Sequence, residues 1–135
     1  MPAGYSQRSL VEKLGIKPHT RIAIVNAPRG YRNTLGKLPP GVTVAAAARG
    51  SLSFIHFFTA GRALLEAKLP ALLRALLPDG ALWVSWPKQS SGVETDITED
   101  VVRAVALPTR LVDVKVAAID DVWSGLKLVR RLENR

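Results

Sequence analysis

Residues 52–86, LSFIHFFTAGRALLEAKLPALLRALLPDGALWVSW, hold a strand, a helix and a second strand in one run. Leu52 to Phe58 is rich in the branched and aromatic side chains that suit a pleated surface. Between Ala60 and Leu77, Leu65, Leu69, Leu72 and Leu76 recur at alternating spacings of four and three, flanked by Leu64, Leu73 and Leu77. That pattern lays an apolar stripe along one side of a helix. Pro70 falls inside the segment, so a kink, or a second helix with Pro70 in its first turn, is expected. Pro78-Asp79-Gly80 has the composition of a turn, and it returns the chain to a strand over Ala81 to Trp86.

Working outward, Arg21 to Ala27 (RIAIVNA) is another near-continuous apolar run, stopped by Pro28, as expected of a strand covered on both faces. The loop from Pro28 to Gly41 has room for one helical turn around Tyr31 to Leu35, and Val42 to Ala46 reads as a weaker strand whose approach is kept extended by Pro39 and Pro40. Ser9 to Leu14 offers a short amphipathic helix, ended by Gly15 and expected to pack on the sheet edge. On the other side, Asp96 to Val105 reads as a helix with Asp96 and Glu99 in the spacing of a capping box. Leu111 to Ala118 alternates, with Val112, Val114 and Val116 on one face and Asp113 and Lys115 on the other, the pattern of an edge strand with one wetted face. Asp120-Asp121 breaks it before Leu126 to Leu132 (LKLVRRL), a sixth strand close enough to pair as an antiparallel hairpin. Strands alternating with helices, then a closing hairpin, imply an α/β three-layer sandwich around a mostly parallel six-stranded sheet whose last strand is antiparallel.

The chain has 135 residues, the size of one domain spanning 1–135, and its 47% hydrophobic and 22% charged residues are those of a folding globular chain. It has no cysteine, which excludes disulfides, thiolate metal sites and thiol nucleophiles. The net charge of +8 is uneven: residues 1–88 hold 12 Lys and Arg against 3 acids, and residues 89–135 hold 7 against 8. Such a balance attracts acidic partners, yet the tightest basic clusters are only Arg29 with Arg32 and Arg130 with Arg131, no more than a solvated surface requires. Apolar stretches such as Val42 to Ala48 are too short to span a bilayer, and MPAGYSQRSL at the N-terminus lacks the apolar core of a secretory signal. A cytoplasmic protein without a membrane partner is expected; the oligomeric state is not indicated.

The stretch LGIKPHTRIAIVNAP (14–28) resembles the lead-in and first strand of class I methyltransferases, and LLRALLPDGALWVSW (72–86) resembles their helix, turn and following strand. The resemblance implies a Rossmann-like, methyltransferase-like sheet of order 2-1-3-4-6-5, the sixth strand antiparallel, with one βα unit of that fold missing. A second resemblance runs the whole length, through Gly4-Tyr5-Ser6, Asn26-Ala27-Pro28, Trp86-Pro87-Lys88, Ser91-Gly92, Thr95-Asp96, Thr98-Glu99-Asp100 and Trp123-Ser124-Gly125-Leu126-Lys127. These residues are similar to a small bacterial family known as domain of unknown function 3052, which brings no activity with it.

An adenosylmethionine site in the methyltransferase fold needs glycines after the first strand, where backbone approaches the ligand, and a carboxylate ending the second strand to hold the ribose. Here the first loop, Asn26-Ala27-Pro28-Arg29-Gly30-Tyr31, has one glycine, and the second strand ends in Ala46-Ala47-Ala48-Arg49 with no acid. Both departures argue against a conventional site, and no other cofactor is indicated. The topology still places a cleft beyond the carboxyl ends of the parallel strands. That edge gathers Asn26 to Tyr31, Thr59 and Trp86-Pro87-Lys88, and because the sixth strand is antiparallel its start, Trp123-Ser124-Gly125, joins them with Asp120-Asp121. The candidate ligand-binding residues are Asn26, Arg29, Tyr31, Trp86, Lys88, Ser91, Trp123 and Ser124, with Trp86 and Trp123 expected to converge and stack a planar or anionic ligand.

Each has an ordinary alternative. The tryptophans can be packing that closes the sheet, Lys88 and Arg29 solvated cations, Asp96 and Thr98 helix caps, and Asp120-Asp121 turn residues. His19 precedes the first strand and His56 lies inside the third, where it reads as a satisfied core residue, so neither is expected at the cleft. That removes a Ser-His-Asp triad and a His-rich metal site. Three functional readings result: a non-catalytic module binding a small ligand or a protein partner in the cleft; an enzyme acting on a nucleotide or phosphorylated metabolite, with Arg29 and Lys88 on the anion and Asp96 or Asp120 as base; and a basic nucleic-acid-binding domain, which requires a steep salt dependence.

Overall fold

The computed structural model describes residues 8–135; Gly4-Tyr5-Ser6 and most of the N-terminal segment lie outside the described residues. The elements are α1 (Leu10–Leu14), β1 (Arg21–Val25), α2 (Tyr31–Leu35), β2 (Thr43–Ala45), β3 (Leu52–Phe58), α3 (Arg62–Ala75), β4 (Leu76–Pro87), α4 (Glu99–Ala106), β5 (Leu111–Ala118) and β6 (Trp123–Arg130), with short 3-10 turns between and after them. They form one six-stranded sheet of order β2-β1-β3-β4-β6-β5. β2, β1, β3 and β4 pair in parallel, and β6 is antiparallel to both β4 and β5. The expected strand order is met in full.

Two apolar layers flank the sheet. On one face Leu65, Leu69, Leu72 and Ala75 of α3 and Val102 and Ala106 of α4 pack on Ala23, Ile55, Phe57, Leu82, Val84 and Trp86. On the other, Val11 and Leu14 of α1 and Tyr31 and Leu35 of α2 pack on Ile22, Phe54, Phe58 and Trp83. α1 therefore lies over the sheet face, where the Trp83 indole N–H donates to the Leu14 carbonyl at 2.9 Å, rather than on the sheet edge as expected. The connection from β2 to β3 spans only residues 46–51, and β1 sits between those strands. A crossover this short has no room for a helix, which is how a βα unit comes to be absent.

Four local expectations change. α3 runs through Pro70 as one helix. Pro70 lies on the exposed side while the buried stripe continues beneath it, so the missing amide bond is outweighed by unbroken packing. Pro78-Asp79-Gly80 is not a turn between elements but an irregular stretch inside β4, because pairing jumps from Leu52↔Leu76 to Phe54↔Ala81. A Cβ at Gly80 would stand 2.7 Å from Leu76 Cδ1 and 3.1 Å from the Leu52 carbonyl oxygen, so only glycine lets the bulged backbone return to β3. β6 begins at Trp123, earlier than its apolar run announced. A one-residue bulge between Asp113 and Lys115, where two steps on β5 face one on β6, reverses the alternation of β5. Val114 and Val116 are consequently 55% and 49% exposed, and Lys115 turns partly inward.

α4 starts at Glu99 with Thr98 as its cap, the Thr98 hydroxyl accepting from the Val101 amide at 3.2 Å. Asp96 caps a different helix: its carboxylate accepts the Arg62 amide at the start of α3, at 2.7 Å. At the other end of α3 the Arg130 guanidinium, from β6, donates to the carbonyls of Leu73, Leu76 and Leu77. Asp96→Ala should cost about 1 kcal/mol, the ordinary worth of an N-terminal cap, measured as a lower urea midpoint at unchanged slope.

A candidate ligand groove at the strand ends

The carboxyl edge of the sheet is built by β4 and β6. Their register pairs Trp86 with Ser124 and Pro87 with Trp123. Cross-strand partners share a face and successive residues alternate, so Trp86 and Trp123 stand on opposite faces of the sheet. Trp86 belongs to the layer of α3 and α4, whereas Trp123 packs edge to face on Phe58 at 5.2 Å in the layer of α1 and α2. The two rings do not converge as expected, and each stands in a separate environment.

On the α3/α4 side, Trp86, Lys88 and Ser124 line an open groove of about 420 Å³ together with Gln89, Thr98 and Glu99. The Lys88 amide donates to the Val122 carbonyl at 2.7 Å, and its ammonium to the Asp120 carbonyl at 2.8 Å, which fixes the cation at the groove with donors to spare. Ser91 shapes the approach. Its hydroxyl donates to the Lys88 carbonyl at 2.6 Å and accepts the Val93 amide, so it serves the turn after β4. Trp86 is only 6% exposed, yet its indole N–H has no acceptor among the described residues and is not sealed from solvent; the Ser124 hydroxyl also has no partner there. The trans Trp86-Pro87 peptide continues the strand into the groove wall.

The remaining candidates lie elsewhere. Tyr31 is buried, its phenol 2.6 Å from His56 Nδ1, and His56 Nε2 is 2.7 Å from Ser85 Oγ. Burial pushes His56 down to about 3 and raises the Tyr31 phenol far above its usual range, so both are neutral across the physiological window. The Ser85 and His56 pair has the spacing of a nucleophile and its base, but both side chains are fully enclosed and no substrate reaches them. Asn26, at φ +59°, donates through its side-chain amide to the Phe58 carbonyl at 2.7 Å and so ties the end of β1 to the end of β3 at the point where strand order reverses. Arg29 is exposed in the loop that follows. The carboxylate of Asp120 accepts the Val122 and Trp123 amides at 2.8 Å each, so Asp120 and Asp96 are both engaged in structure.

A second depression of about 370 Å³ opens at the ends of β1 and β2, lined by Val25, Asn26, Ala46 to Arg49 and Lys68, with no carboxylate in its described lining. Gln89 carries no signal in the sequence that marks it for the groove, and Glu99 stands out there as a capping-box residue and as part of Thr98-Glu99-Asp100, not as a groove residue. Glu99 reaches the groove as the first residue of α4, directly after the Thr98 cap. No group of three His, Asp or Glu suited to a metal occurs among the described residues.

A methyltransferase-like Rossmann-type α/β fold is what this topology defines, and solved structures agree. The chain is similar to an SAM-dependent methyltransferase from Aquifex aeolicus (TM-score 0.61, 12% identity, covering 88% of this chain and 86% of that one). It is also similar to the ribosomal protein L11 methylase from Lactobacillus delbrueckii subsp. bulgaricus (TM-score 0.59, 14% identity, 90% and 75% covered). A third likeness is to the magnesium protoporphyrin IX methyltransferase of Synechocystis PCC 6803 with bound SAM (TM-score 0.57, 10% identity, 90% and 74% covered). No family model and no curated protein sequence matches the chain. At these identities the likeness establishes the fold alone. No helix among the described residues is long and apolar enough to cross a membrane.

Proposed function

We propose that this is a cytoplasmic single-domain binding module, similar to domain of unknown function family 3052, which keeps the methyltransferase-like fold without a conventional adenosylmethionine site. Its ligand is a small planar or anionic molecule held in the groove of Trp86, Lys88 and Ser124. The observation that carries this reading is the indole N–H of Trp86. An almost enclosed indole normally finds an acceptor within the chain, as Trp83 does in the Leu14 carbonyl, whereas the Trp86 N–H is left open to water or to a ligand that displaces it. Lys88 adds a fixed positive charge and Ser124 a second free hydrogen-bonding group. The enzymatic alternative is weaker because Asp96 and Asp120, its two bases, are occupied with backbone amides. Against adenosylmethionine stand the Asn26 bridge at the strand-order reversal and the alanine-lined end of β2.

The test follows the indole N–H resonances while planar and anionic metabolites are added one at a time, with Trp86→Phe assigning the reporter. A ligand of this groove shifts the Trp86 signal and leaves the Trp83 signal in place, and both Trp86→Phe and Ser124→Ala weaken its binding by about tenfold, the upper end of what one hydrogen bond contributes. Bound ligands that leave Trp86 unmoved, or that bind Trp86→Phe as tightly as the native chain, would count against the groove.

A further inference from the structure

At the opposite end of the sheet, where the strands begin, lies a third depression that none of the foregoing uses. It holds about 300 Å³ and is lined by Lys17, Thr20, Ser53, Asp79 and Lys127, with Gly15, Phe54 and Ala81 completing its walls. Lys127 occupies a position on β6 that faces the α1 layer: it is paired with Trp83 of β4 and flanked by Leu126 and Leu128, which turn to the other face. A half-buried ammonium there sits where a strand facing a helix ordinarily places an apolar side chain. Its neighbours make matters worse for it. Lys115 stands directly across on β5, and Lys17 follows the end of α1. Burial, and then Lys115 and Lys17, hold the Lys127 ammonium below the usual lysine range.

Among the described residues Asp79 is the one carboxylate in the lining, and it makes no ion pair with these lysines. No carboxylate among the described residues comes within ion-pair distance of Lys17, Lys115 or Lys127. Lys115 is directed to the Lys13 carbonyl at 2.9 Å, which leaves Lys17 and Lys127 as the cations free to act in the depression. A Cβ on Gly15 would stand 3.5 Å from the Lys127 ammonium, so the αL turn at the end of α1 brings backbone directly against it. The partly buried Lys127 ammonium, with the exposed Lys17 beside it and no carboxylate bonded to it, is better satisfied when an anion joins them.

We propose that Lys17 and Lys127 form an anion site for the phosphate group of a small phosphorylated molecule, separate from the Trp86 groove and at the other end of the sheet. The hydroxyl of Ser53 supplies a further donor, and Asp79, which also lines the depression, accepts from a hydroxyl or amino group on the rest of the ligand. The volume suits one phosphate and a few further heavy atoms, not a polymer.

The experiment is a titration of the full chain with inorganic phosphate and with phosphoethanolamine, followed through the Nζ signals of labelled lysines and by calorimetry. Saturable binding is expected, with the Lys127 signal moving first and its titration displaced upward when phosphate is bound. Lys127→Met, which keeps the apolar stem, and Lys17→Gln should each weaken binding by about tenfold, whereas Lys68→Gln, which removes the same charge on α3, should change it by less than about twofold. The absence of saturable binding, or an equal loss in Lys68→Gln, would overturn the proposal. Lys127→Met should also fold at least as stably as the native chain, so its loss of binding would not reflect unfolding.

Discussion

Acidification from about pH 6 to about pH 4.5 is expected to remove about 2 kcal/mol of folding stability through one residue, His56. Its imidazole is fully buried between the Tyr31 phenol and the Ser85 hydroxyl and stacks on Phe58 at 4.1 Å. Desolvation lowers its folded-state value to about 3, against 6.5 in the unfolded chain. Between those values the unfolded chain holds a proton that the folded chain does not, so stability rises with pH at up to about 1.4 kcal/mol per unit. The contribution is fully present above about pH 6.5 and declines as pH falls toward 3. Urea midpoints measured across this window should show the slope in the native chain and lose it in His56→Gln, which hydrogen-bonds without titrating. An equal slope in both chains would place the acid sensitivity elsewhere.

Truncation of Trp83 should have the larger effect at neutral pH. Trp83 is fully buried at the centre of β4, pairs across to Lys127 and anchors α1 through the Leu14 carbonyl. Trp83→Ala should cost about 3–5 kcal/mol, a large part of the roughly 5–15 kcal/mol that holds a domain of this kind together. The consequence would be loss of the α1 layer before the sheet itself, visible as early amide exchange at Val11 to Ile16. Trp83→Phe retains most of the packing and leaves the Leu14 carbonyl without its donor, for about 1–3 kcal/mol. Equilibrium urea unfolding measures both, and a Trp83→Ala chain as stable as the native one would contradict the placement of this side chain.

The sheet was legible because its signals are local. The apolar runs of β1, β3 and β4, the leucine stripe of α3 and the closing hairpin each lie within one stretch of sequence, and their order sets the topology. What escaped reading depends on a single residue of phase. In β5 the alternation Val112, Asp113, Val114, Lys115, Val116 looks uninterrupted, and only pairing with β6 reveals the bulge that turns Val114 and Val116 to solvent and Lys115 inward. The same one-residue logic separates Trp86 from Trp123, since both stand at the strand ends but only the register says which face each takes. The Lys17, Lys115 and Lys127 cluster was invisible for a related reason: Lys17 comes from a loop far from the β5–β6 hairpin, Lys115 meets Lys127 only through the bulged register, and each reads alone as a solvated lysine. Asp96 was identified as a cap, but of the wrong helix, because its partner Arg62 is 34 residues away.

A titration with adenosylmethionine tests most directly the proposal that the fold is kept without a conventional cofactor site. Backbone amide signals of Asn26 to Gly30 and Ala46 to Arg49 report that site's place in the fold, and the Trp86 indole reports the groove. The predicted result is no saturable shift of those amides by adenosylmethionine, while a planar or anionic ligand moves Trp86. Saturable shifts confined to Asn26 to Gly30 and Ala46 to Arg49 would contradict it and return the chain to the cofactor chemistry of its structural relatives.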